Sequence, residues 1–163
     1  KEAQIRAGQQ VGDIKSGITH GAPDCVSRQT VRNVLTYRSR GDCQGKVLVE
    51  RVAQKTDGYQ MNQDLRLSPT AEIDAKPELE IYADDVKCSH GATVGALDED
   101  QLFYLRARGV PEAQARQMLV EAFLVETVDL VADETLHSFL EQTLSRSLRR
   151  TLAARVSASG QSA

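Results

Sequence analysis

The stretch Pro77–Gly109, PELEIYADDVKCSHGATVGALDEDQLFYLRARG, decides the fold, because within it the chain changes from strand grammar to helix grammar. Before Leu97 the apolar residues come in short runs broken by turn residues. After it, Asp98 can cap a helix, Gln101 stands three residues on as in a capping box, and Leu97 with Leu102 can form a hydrophobic staple. Gly109 supplies the left-handed residue that ends this helix, and Pro111 sits at the first position of the next. In the extended half, Cys88 and His90 project to one face while Lys87 and Ser89 project to the other.

Upstream, the runs Val47-Leu48-Val49, Leu65 with Leu67, and Leu79 with Ile81 read as short strands. They are separated by turn signals at Thr56-Asp57-Gly58, Ser68-Pro69 and Lys76-Pro77. Short strands with tight corners and no helices between them fit a sandwich or a coiled solenoid. No strict hexapeptide repeat is present to choose between the two. Aromatic residues make up 4% of the chain and Trp is absent, so Val, Leu, Ile and Ala must fill the interior, which favours repetitive packing. Downstream, Ala115, Met118, Leu119, Ala122 and Phe123 recur at helical spacing, as do Leu136, Phe139, Leu140, Leu144 and Leu148 in a third helix starting near Asp133. The organisation expected is a β core over residues 1–97, a helical domain over 98–155 and a disordered tail over 156–163.

Composition narrows the function. The net charge of -3 leaves no basic footprint for a phosphate backbone, so nucleic acid is not an expected partner. No apolar run approaches a membrane span, and KEAQIRAGQQ lacks the order of a signal peptide. Cys25, Cys43 and Cys88 are an odd number without a CxxC pair, which points to a reducing compartment, with the cytosol as default.

Cys88 and His90 offer one thiolate and one imidazole from a single strand, which is half of a metal site. The plainer alternative is that Val86, Cys88 and His90 line a packed interior, His90 being hydrogen-bonded to backbone. A nucleophile–base pair is a poorer fit, because side chains at i and i+2 point in parallel rather than toward each other. No G-x-S-x-G elbow, H-E-x-x-H helix or P-loop is present, and HGATVG lacks the Gly-Lys-Ser/Thr of a phosphate cradle. ATP is therefore not expected to bind this chain. Arg146, Arg149, Arg150 and Arg155 cluster near the end of the third helix, where cations favour the macrodipole. His137 is expected to be exposed.

DDVKCSHGATVG followed by LFYLRARG, preceded in order by HGAPDCVSRQTVRNVL, GKVLVERVAQKTDGYQMNQDLRLS and AEIDAKPELEIYADDVKC, resembles the C-terminal region of SufD-type members of the SufB/SufD family. The resemblance covers nearly all of residues 18–155, and family members are substantially longer. It implies a mainly β chain with an α C-terminal region: part of a right-handed parallel β-helix, then a small helical domain. It also implies a non-catalytic subunit of an iron-sulfur cluster assembly complex that pairs with a SufB-like subunit and holds a SufC-like ABC ATPase, the site of ATP. A transient cluster shared with SufB would involve His90 and, ranked below it, Cys88. Phe103, Tyr104 and Arg108 in the FYLRARG turn would meet the ATPase, as aromatics and arginine do at interface hot spots. Reduced flavin belongs to such complexes as a whole, and no residue here marks a site for it. A cytoplasmic location is implied, or a plastid one for a plant or alga. Cys43 stands where relatives carry phenylalanine and Asp64 where asparagine is usual, while His20 resembles a solenoid-corner position. A purely structural β-helix homodimer, or a Cys/His-dependent enzyme, are the alternatives.

Overall fold

The computed structural model describes residues 2–129 and 131–159, with side chains to Thr151. Seven strands run in order: β1 (Glu2–Arg6), β2 (Val11–His20), β3 (Val26–Leu35), β4 (Arg40–Val49), β5 (Asp57–Arg66), β6 (Glu72–Ile81) and β7 (Lys87–Gly95). Every pairing is parallel and skips one strand, giving one sheet ordered β1-β3-β5-β7 and another ordered β2-β4-β6. The chain thus coils as a solenoid of about three turns, two strands to each turn. Partners one turn apart, such as Val26 with Asp57 and Asp57 with Lys87, are separated by about 30 residues, the scale of one solenoid repeat.

Hydrogen bonding continues around the bends. Arg38 donates to the Gly8 carbonyl at 3.0 Å and Leu67 to Leu35 at 2.8 Å on one side of the coil. On the other, Glu50 donates to His20 at 3.0 Å and Lys87 to Thr56 at 2.8 Å. Stacked bends also share their conformation. Asp24 and Lys55 occupy equivalent places with φ of 58° and 61°, as do Gly8 and Tyr37 with 71° and 58°. The repeat is one of backbone geometry, so it leaves no repeated letters.

β2 through β6 are ten residues each, longer than the short runs of the sequence reading. The reason lies in the interior, where polar residues interrupt the apolar alternation. Gln29, Gln60 and His90 form one row across β3, β5 and β7, and Asn33, Asp64 and Val94 another. Gln60 lies against Gly45, where a Cβ would come within 1.6 Å of its Nε2, so this layer closes only over a glycine. Lys76-Pro77, expected to be a turn, lies inside β6. β6 is the edge of its sheet, where a row of N–H groups has no ladder partner and a proline is tolerated.

Asp64 is buried at 3% exposure and accepts from Asn33 Nδ2 at 2.6 Å and Asn62 Nδ2 at 2.7 Å. Burial pushes its carboxyl above the ordinary value, and the two amide bonds only partly offset this. The side-chain carbonyls of both asparagines have no partner. Cys43 belongs to the core with Ile14 and Val31, and burial raises its thiol to about 11. His20 is buried at the end of β2, its Nε2 2.9 Å from Ser27 Oγ, consistent with a corner role.

Three helices follow: α1 (Glu99–Ala107), α2 (Glu112–Val125) and α3 (Glu134–Ser159). Asp98 caps α1 as read, accepting from the amides of Asp100 at 2.9 Å and Gln101 at 3.1 Å. Gly109 follows with φ of 84°, and Pro111 is the cap of α2, one place before its expected position. α3 extends to Ser159, into the stretch expected as a tail; residues 160–163 lie outside the described residues. The helices cover the outer face of the four-stranded sheet. Ile5, Val34 and Leu65 stand side by side across β1, β3 and β5, and Val120, Leu124 and Leu148 close over them. Fully burying each such side chain contributes about 2 kcal/mol.

The expected stripe of α2 is turned, while that of α3 holds from Leu140 through Leu144 to Leu148 and fails only near its start. α2 buries Ala115, Val120 and Leu124, leaving Met118 exposed and Phe123 half-buried. α3 buries Leu148, with Leu136 and Phe139 exposed. α2 is apolar at nearly every position from Met118 to Val125 except Glu121, so several faces satisfy its period and the sheet selects one.

Arg32 helps make that selection. It lies on the outer face of β3, 8% exposed, and donates from Nη1 to the Phe123 carbonyl at 2.5 Å. Its Nε donates to Gln63 at 3.0 Å, Nη2 pairs with Glu126 at 2.5 Å, and the guanidinium lies 4.9 Å from the centre of the Phe123 ring.

Two outcomes are expected. Arg32→Met, which keeps the apolar stem, should destabilise the chain by about 2–3 kcal/mol and lower hydrogen-exchange protection in α2 before that in β4. Unchanged α2 protection would show that the apolar stripe alone holds the helix. Asp64→Asn should stabilise by roughly 1 kcal/mol near neutral pH, its amide finding a freed asparagine carbonyl. Because the folded carboxyl titrates above the unfolded one, Asp64 opposes folding more as pH rises through its folded pKa. The gain in melting temperature from Asn should therefore shrink toward acidic pH, and a gain that is flat with pH would refute this account.

Candidate functional site

The coil ends at β7 in one sheet and β6 in the other, and each strand there has a ladder partner on one side only. His90 sits in this last layer. Its register partner Gln60 is buried in the interior row, yet His90 itself is exposed because no further turn covers it. It makes no hydrogen bond or ion pair among the described residues. The reading of His90 as a core residue bonded to backbone is therefore corrected: the interior row reaches its open end there.

Cys88 points the same way one layer along, as strand alternation requires. It pairs in register with the buried Gly58, and its Sγ would lie 3.2 Å from a Cβ placed there. Together with Val86 it packs against the Val47, Val49, Ala53 and Ala83 cluster. The strand thus presents both side chains on one face, the thiol half-buried and the imidazole exposed. No group of three His, Cys, Asp or Glu suited to a metal occurs among the described residues. The end of the coil can offer two donors at most, and a closed site would draw the rest from another surface.

Charge near the strand is organised on the outside. Arg28 pairs with Asp57 at 2.7 Å, and this hydrogen bond holds the Asp57 carboxyl below its ordinary value. Both line a hollow of about 280 Å³ with Tyr59, Lys87, Cys88 and Ser89. Asp85 belongs to the bend: its carbonyl accepts from Lys55 and its amide donates to Gln54. Cys25, half-buried in an earlier bend, lies outside this end layer.

Phe103, Tyr104 and Arg108 come together on α1, away from the core, where Leu102 is the buried residue of the helix. Phe103 is 72% and Tyr104 56% exposed, and the Arg108 guanidinium stacks 4.8 Å from the centre of the Tyr104 ring. His137 is half-buried rather than exposed, with Nε2 3.3 Å from Asp129. Sequence reasoning missed the row behind His90. Gln29 and Gln60 carry no motif, and only register one solenoid turn apart connects them to it.

The SufBD core domain of the SUF system for FeS cluster assembly matches residues 1–123. The chain is 43% identical over 137 residues to the iron-sulfur cluster assembly protein SufD of Escherichia coli, covering 84% of this chain and 32% of that protein. A SufBD family protein of Synechocystis is 42% identical over 141 residues, 86% of this chain and 31% of the relative. The chloroplastic protein ABCI7 of Arabidopsis thaliana is 41% identical over 122 residues, 74% of this chain and 26% of the relative. The chain spans about a third or less of the length of these curated relatives. With a parallel β-solenoid followed by three helices and a family match over most of its length, the chain belongs to the SufBD core family of the SUF iron-sulfur cluster assembly system.

Proposed function

We propose that the chain is a non-catalytic scaffold in an iron-sulfur cluster assembly complex. Its open solenoid end pairs with a SufB-like subunit and its helices dock a SufC-like ABC ATPase. The observation that carries this reading is the last layer of the coil, where two unpaired strand edges and His90 are exposed together. Unpaired edges favour strand-on-strand association, and a partner seated there would supply the missing donors. The nascent cluster is cargo at that junction. His90 is ranked above Cys88 because its side chain is exposed, whereas the Cys88 side chain packs into an apolar cluster. A second copy of the chain on the same edges would give the homodimer alternative.

The ATPase surface rests on Phe103, Tyr104 and Arg108, an exposed aromatic pair with a stacked guanidinium. Motion of the helices would reach the sheet through Arg32, which ties α2 to β3, and pass by strand pairing to β5 and β7. ATP binding belongs to the partner, and reduced flavin to the assembled complex. No helix of the described residues is long and apolar enough to cross a membrane. The reading places the protein in the cytoplasm, or in a plastid for a plant or alga.

Anaerobic reconstitution with SufB-like and SufC-like subunits tests the site. His90→Ala should weaken retention of iron and sulfide by about tenfold or more, the scale of losing a group that supports a metal, with subunit stoichiometry unchanged. Undiminished cluster in an intact complex would leave the chain as structural scaffold alone. Arg108→Glu should weaken ATPase docking by about tenfold in calorimetry while leaving the melting of the β-solenoid unaltered, and equal affinity would remove α1 from the interface.

A further inference from the structure

A wide hollow lies away from both of these regions, between α3 and the first stack of bends. Its volume is about 1000 Å³. Arg38 and Tyr37 line it from one bend and Gln10 from the bend below, while Arg146, Ser147 and Arg150 line it from α3. Arginines from two elements more than a hundred residues apart in sequence therefore reach one groove, which no aspartate or glutamate among the described residues lines, although Arg146 and Arg150 also border an adjoining hollow with Glu141.

Those guanidiniums are uncompensated. Arg38, Arg146 and Arg150 make no side-chain hydrogen bond or ion pair among the described residues. Of the exposed arginines elsewhere in the chain, Arg28, Arg40, Arg106 and Arg116 each have a carboxylate within salt-bridge distance, while Arg51, Arg66 and Arg149 have none among the described residues but stand apart from this groove. Acidic residues are not scarce, at 23 against 20 basic ones. Arg146 and Arg150 are also one helical turn apart on α3, a like-charge placement that opposes the helix unless an anion offsets it.

The donor set indicates which anion. Guanidinium forks grip phosphate oxygens two at a time, and side chains rooted about 6 Å apart on one helix face can each take a separate phosphoryl group of one chain. A chain of phosphoryl groups consists wholly of acceptors, matching guanidinium, hydroxyl and amide donors. An acidic peptide brings backbone N–H groups as well, donors that the arginines cannot accept. We infer that this groove binds a small molecule bearing a di- or triphosphate chain, laid along Arg146 and Arg150 with Arg38 closing from the bend. Both α3 arginines lie beyond residue 123, where the family match ends.

Titration calorimetry of inorganic tripolyphosphate into the intact protein at low salt tests this. Saturable one-to-one binding is expected, weakened about tenfold or more in Arg146→Gln/Arg150→Gln and in Arg38→Gln, and weakened by added salt. Arg149→Gln removes the same charge from the same helix outside the groove and should leave the affinity within about twofold. Circular dichroism and melting temperature check that each variant is folded, and if the double variant is not, Arg38→Gln against Arg149→Gln decides. Absence of saturable binding, an equal loss in Arg149→Gln, or arginine-dependent binding of a polyglutamate peptide without tripolyphosphate would each overturn the inference.

Discussion

Arg32 joins the two halves of the molecule. A solenoid sheet has a buried inner face and an outer face that is ordinarily solvated, so helices stay on the outside only if something fixes their position there. The Ile5, Val34 and Leu65 stripe supplies area but little direction, and α2 is apolar on several faces. A planar guanidinium supplies direction. It must meet a carbonyl near the end of α2, a carboxylate one turn further on and an aromatic ring at the same time. The carbonyl lies within the last turn of the helix, where backbone acceptors lack intrahelical donors and a cation is favoured by the macrodipole. One rotation of α2 meets all these demands, and that rotation decides which aromatics face outward on the helical module.

The interior follows a different rule. Gln29, Asn33, Gln60, Asn62 and Asp64 occupy inward positions where other folds place Val or Leu. Such residues stack because parallel register repeats each position one turn on, so an amide in one layer can meet an amide or carboxylate in the next. The match is partial, since the side-chain carbonyls of Gln29, Asn33, Gln60 and Asn62 have no partner among the described residues, and each such buried atom carries a cost. It also links the end of the coil to its middle. His90 is the exposed terminus of a row that begins inside the protein.

The helical half was legible where local chemistry governs it. Asp98 and Gly109 act through groups within a few residues, and the structure places them as the sequence reads, whereas Gln101 gives Asp98 its backbone amide and not the side-chain half of a capping box. The face of α2 was not legible, because it depends on a sheet distant in sequence and on Arg32, which carries no helix signal at all, whereas the face of α3 was legible from Leu140 to Leu148. The solenoid was legible only by resemblance. Its interior amides hide the alternation that marks a strand, Pro77 falls inside β6, and positive φ recurs at Asp24 and Lys55 without shared residue identity. For the candidate site, the common direction of Cys88 and His90 follows from strand alternation alone. Their different burial does not, since it depends on which layer is last.

That dependence on the last layer connects fold to function. In a coil each strand is covered by the next, so a terminal strand is left with one ladder of unpaired groups and its inward side chains without a roof. The fold therefore creates a reactive surface wherever it stops, without strain and without a preformed cavity. On the proposed function, two donors held on one strand, with no third within reach among the described residues, would make a site that stays incomplete until another surface arrives. An incomplete site holds a metal cargo weakly when alone and more firmly when covered, because added ligands raise affinity. Control over cargo then reduces to control over how closely two surfaces meet. On the same proposal, the tie at Arg32, one strand pairing away from β5 and two from β7, would let movement of the helices alter that approach.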